Sequence, residues 1–123
     1  MAAVEMLRAL ERGEAPSGGF HHADHLRAAW ACLEECGAPD AAFARLAATL
    51  RRFAAAVGQS DKYSDAVTGF WIYQLASVRA LMPGADFEAV LRACPRLLDK
   101  QLVLAYYSPD VPAPRPADPP RHA

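Results

Sequence analysis

The stretch His21-His22-Ala23-Asp24-His25-Leu26-Arg27-Ala28-Ala29-Trp30-Ala31-Cys32-Leu33-Glu34-Glu35-Cys36 decides the fold. Leu26, Ala29, Trp30 and Leu33 recur at three- and four-residue intervals, the repeat of one face of an α-helix. Gly37 and Pro39 follow at once and end that helix. The same stretch opens with three of the chain's four histidines, His21, His22 and His25. His22 with His25, and His21 with His25, are spaced to share a helical face, so two imidazoles can point at one spot. Imidazole changes charge near neutral pH and is the commonest metal ligand, which makes this cluster the strongest chemical signal in the chain.

Working outward, the same period recurs on both sides. Val4, Leu7 and Leu10 predict a short helix from Val4 to about Glu11, followed by a loop through Pro16-Ser17-Gly18-Gly19. Asp40 opens another helix, with Phe43, Leu46, Leu50, Phe53 and Val57 on one face and Gly58 as its stop. Ser60 or Asp61 is the expected cap of the next, which carries Val67, Phe70, Trp71, Leu75 and Val78 and ends at Pro83-Gly84. Asp86 caps a short turn or helix to Cys94, and Pro95 starts a last helix through Leu97, Leu98, Leu102, Leu104 and Tyr106. From Pro109 onward six prolines and few apolar residues predict a disordered tail, so the domain spans 1–108 and the tail 109–123. No strand pattern and no repeat appears. The expectation is an all-α, compact bundle of four to five helices, mostly antiparallel because the connections are short.

Composition excludes several classes. At 123 residues the chain can bury one core without staples. A formal net charge of −1, with both signs scattered, offers no footprint for nucleic acid or an anionic membrane. No apolar run approaches the roughly 20 residues of a membrane span, and the first residues lack the layout of a signal peptide. Cys32, Cys36 and Cys94 fit no zinc or redox spacing and suit a reducing cytoplasm, the expected location. The absence of Asn, with one Ile and two Lys against abundant Ala, Arg and Pro, is the skew of a high-GC bacterial genome. Alanine-lined helices can approach closely, so a few large residues fill the core.

An up-down-up order for helices 21–36, 40–57 and 61–82 starts the first and third at the same end. A helix over 95–107 would finish there. That end would gather His21, His22, Asp24 and His25 with Lys62, Tyr63, Ser64 and Asp65, and with Tyr106 and Tyr107. Helix N-termini and Lys62 would favour an anionic ligand and keep a nearby histidine neutral. Asp24 has two readings, a partner of the helix dipole or a carboxylate orienting a histidine. Trp30, Phe70 and Trp71 read first as core, although aromatics also line small-molecule pockets.

The spacing Phe20-x-His22-x-Asp24-His25-Leu26-Arg27-x-Ala29-Trp30 resembles the start of a widespread family of small, uncharacterised all-helical bacterial proteins. The likeness continues through Leu50-Arg51-Arg52-Phe53, Lys62-Tyr63, Thr68, Leu97-Leu98-Asp99-Lys100 and Tyr106-Tyr107-Ser108, and covers roughly residues 5–108. The resemblance implies that His22, Asp24 and His25 belong with Lys62, Tyr63, position 64 and Thr68. The family pattern has histidine after Lys-Tyr where this chain has Ser64. If that pattern is a three-histidine metal site, one ligand is missing. His22 and His25 with Asp65 or Asp24 would still form a two-histidine, one-carboxylate set.

Three functions follow as expectations. The first is a small-molecule enzyme, in specialised metabolism for instance, using histidine acid/base chemistry for isomerisation, cyclisation, elimination or dehydration. Its catalytic residues would be His22, His25, Asp24, Lys62 and Tyr63, with Trp30, Ser64, Asp65, Thr68, Trp71 and Tyr106 binding substrate. The second is a metal-dependent oxygenase or hydrolase with His22, His25 and Asp65 as ligands. The third is a non-catalytic helical binding or interaction module. The expected cofactor is none or a single divalent metal. The expected partner is a small molecule, with self-association into a homo-oligomer left open.

Overall fold

Five α-helices form the fold of the computed structural model, which describes residues 2–16 and 18–105. They are α1 (Ala3–Glu11), α2 (His22–Cys36), α3 (Pro39–Ala56), α4 (Asp65–Leu81) and α5 (Phe87–Ala93). Single 3-10 turns occupy Ser60–Lys62, Pro95–Leu98 and Leu102–Ala105, and no strand occurs among the described residues. The chain is an all-α bundle, as the helical repeat predicts. Tyr106, Tyr107 and the proline-rich segment 109–123 lie outside the described residues.

α2 is the central element. It packs against α1, α3 and α4, and α3 also packs against α4. Ala28, Ala29 and Ala31 are fully buried on it, which lets three neighbours approach closely around Leu26, Trp30 and Leu33. Met6, Leu7 and Leu10 of α1, Leu46, Leu50 and Phe53 of α3, and Phe70, Trp71, Ile72 and Leu75 of α4 complete the same core. Phe87, Val90, Leu97 and Val103 close it from the C-terminal side. Burying one such large side chain contributes about 1.5–3 kcal/mol.

Helix boundaries follow local chemistry. Gly37, at φ 80°, ends α2 in a left-handed conformation that a residue with a Cβ would resist. α3 begins at Pro39 rather than at Asp40, because proline's fixed φ suits a first helical position and its missing N–H costs nothing there. α4 begins later than expected. Ser60 and Asp61 form a 3-10 turn, and the cap is Ser64, whose Oγ accepts from the Val67 amide at 3.2 Å. Asp86 caps α5 as expected, accepting from Ala89 N at 2.8 Å. Of the helix expected over 95–107, the described part, residues 95–105, forms two 3-10 turns instead. The Asp99 carboxylate takes the Gln101 amide at 3.0 Å, and this local bond competes with continued helix. Among the described residues no helix is long and apolar enough to cross a membrane.

Candidate functional site

The alternation of helices creates two ends, and a cavity opens at each. The first, of about 430 Å³, lies where α2 and α4 begin and α3 ends. Leu50, Phe53, Ala54 and Val57 of α3 form one wall, and Phe20 and His25 form another. Lys62, Tyr63, Ser64, Val67 and Thr68 close the third side. Phe20 packs on both Phe53 and His25, with ring centroids 5.6 and 6.0 Å apart.

His25 is the most unusual group in that wall. Its Nε2 is shielded from solvent and has no hydrogen-bond partner among the described residues. Burial, with the nearby His22 adding to it, pushes its pKa down to about 4, so the ring is neutral at pH 7. His22, one helical turn earlier, has a different fate. Its Nε2 bonds the Leu97 carbonyl at 2.8 Å, and its ring stands edge-on to Trp71 at 4.5 Å. His22 therefore ties α2 to the C-terminal turn and does not line the cavity. His21 precedes the helix and bonds Gly18 O through Nε2 at 2.7 Å. That bend places Gly19 at φ 98°, a backbone region that residues with a Cβ rarely adopt.

Two acids near the site, Asp24 and Asp65, are engaged with other partners. The Asp24 carboxylate accepts from the His21 amide at 3.0 Å and lies 3.6 Å from Arg27, the role of a helix-start carboxylate. Asp65 receives the Tyr63 hydroxyl and Arg51, each at 2.6 Å, and these bonds hold its pKa below the usual carboxylate range. The Arg51 guanidinium also sits 5.6 Å from the Tyr63 ring centroid. Tyr63 is pushed up to about 12 by burial and by Asp65, against a smaller opposing pull from the Thr68 hydroxyl. Its phenol stays protonated at neutral pH and donates to Asp65. Thr68 is buried, and Ser64 uses its hydroxyl as a cap. Lys62 is exposed and makes no ion pair among the described residues.

The structure thus brings His25, Lys62, Tyr63, Ser64 and Thr68 to one cavity and leaves His22, Asp24, Asp65, Trp30 and Trp71 outside its lining. Trp71 is buried between His22 and Phe70. Trp30 lines the second cavity, about 550 Å³ at the opposite end, under the Arg79 guanidinium at 5.7 Å. Among the described residues no three His, Cys, Asp or Glu side chains gather into a metal-holding group. His22, His25 and Asp65 do not converge: the first is bonded to a carbonyl and the third to Arg51 and Tyr63. The α3 wall was not among the residues expected at the site. Its signal was the apolar stripe Leu50, Phe53 and Val57 running on to the end of that helix, where Val57 is still 44% exposed. No family model matches the chain, and neither curated proteins nor solved structures yield a match.

Proposed function

We propose that this chain is a small-molecule enzyme whose chemistry is proton transfer by His25 in the cavity between α2, α3 and α4. One observation carries the reading. His25 lines a ligand-sized cavity and its buried Nε2 has no hydrogen-bond partner among the described residues, while His22 Nε2, one turn away, bonds the Leu97 carbonyl. An unsatisfied buried polar atom costs about 1–3 kcal/mol, so a purely structural histidine would be expected to find a partner as His22 does. A bound substrate supplies that partner. The neutral ring takes a proton from the substrate and returns it to another atom of the same molecule, which suits isomerisation, cyclisation or elimination. Lys62, with no competing ion pair among the described residues, stabilises the negative charge that develops between the two transfers.

A proton-transfer enzyme exchanges substrate hydrogen with solvent. Incubation in deuterium oxide with a panel of enolisable carbonyl compounds and β-hydroxy acids should show label entering at least one compound, read by mass spectrometry. His25→Gln should abolish that exchange and His22→Gln should retain it. Exchange at the buffer rate across the panel, or exchange that survives His25→Gln, would sink the proposal. A second reading, a binding module without catalysis, is favoured by the engagement of Tyr63, Ser64 and Asp65 with one another and with their own helix. Saturable binding without exchange is its signature.

A further inference from the structure

We infer that the cavity selects amphiphilic monoanions, compact molecules with an apolar body and a single carboxylate held at Lys62. This rests on the reading of the cavity as a small-molecule site and adds the class of ligand. Among the described residues, thirteen line the cavity; Lys62 is the only formally charged side chain of these, and none is acidic. Two carboxylates flank Lys62 on the same segment, and both are outside the lining: Asp61, its exposed chain neighbour, and Asp65, which is paired with Arg51. His25 is neutral, so within the lining the lysine's charge meets no second charge.

The burial of the lining sets the orientation. Leu50, Phe53 and Thr68 are buried and form the floor, while Val57, Gln59 and Lys62 are exposed and form the rim. An apolar body therefore enters first, over Phe20, Leu50, Phe53 and Val67, and the charged head stays at the mouth beside Lys62. A volume of about 430 Å³ is near the small end of ordinary ligand pockets, which excludes large cofactors. One ammonium without an arginine fork fits a carboxylate better than a phosphate, whose charge and oxygens call for several donors.

Three probes sharing one body test this on the full chain: 4-phenylbutyrate, 4-phenylbutyramide and 4-phenylbutylamine. Affinity is measured by calorimetry, and the nitrogen resonances of His25 report occupancy of the cavity. The carboxylate should bind about fivefold more tightly than the amide, the size of a partly solvated ion pair. The amine should bind most weakly. Lys62→Met should erase the preference, Lys62→Glu should reverse it toward the amine, and Lys100→Met should change nothing. Equal affinity for acid and amide, or a preference that persists in Lys62→Met, overturns the monoanion inference; a responding His25 signal then leaves the cavity reading standing. If no probe binds or moves His25, both are overturned.

Discussion

His22 and His25 lie one turn apart on α2 and experience opposite surroundings, and that difference is measurable. His25 holds a pKa of about 4 when folded against an ordinary value of 6.5. The unfolded chain therefore takes up a proton between those values that the folded chain refuses. The sign follows: stability falls as pH drops from about 6.5 to about 4, and this contribution is flat on either side. The full loss is on the order of 3 kcal/mol at about 1.4 kcal/mol per unit. Urea unfolding at a series of pH values should show this limb, and His25→Phe should remove it; an unchanged slope in that variant would locate the titration elsewhere. Helical spacing could group the two histidines but could not separate them. Which ring finds a carbonyl depends on Leu97, which comes 75 residues after His22 and returns in a turn that no local pattern announces.

At the scale of elements, the start of α4 is the most informative segment. Ser64 precedes the helix, and its hydroxyl accepts from the Val67 amide. Ser64→Ala should lower stability by about 1 kcal/mol, the usual cost of losing such a cap. Thermal melting checks this, and a loss below a few tenths would mean that the Ser60–Lys62 turn holds the helix start without it. The helix itself was legible from Val67, Phe70, Trp71 and Leu75. Its first residue was not, because Ser60, Asp61 and Ser64 are all competent caps and only packing against the end of α3 selects among them. Residues 95–105 show the converse case. Their leucines carry a helical period, but Asp99 captures the Gln101 amide and the chain turns.

For the whole molecule, fold class and topology were readable for one physical reason. Apolar stripes at helical spacing, joined by short connections, leave little but alternating helices around α2. That alternation places the starts of α2 and α4 with the end of α3, and so composes the cavity from segments distant in sequence. What stayed hidden was the ionic ring on the opposite flank. Arg8 and Arg45 each pair with both Glu11 and Glu35, at 2.5–3.3 Å, and link α1, α2 and α3. Such surface pairs depend on the packed arrangement of three helices and contribute little individually.

The bond from His22 to Leu97 has a consequence for the order of assembly. Contacts of α1 with α2, α2 with α3, and α3 with α4 join neighbours along the chain and can form early. The His22 bond closes a loop of 75 residues and has to wait for them. It should therefore be absent from the folding transition state. His22→Phe should speed unfolding severalfold and leave the folding rate unchanged in stopped-flow measurements, whereas a slowed folding limb would mean that the link forms early. On this account the C-terminal turn is a latch, the last part of the bundle to fasten and the first to let go.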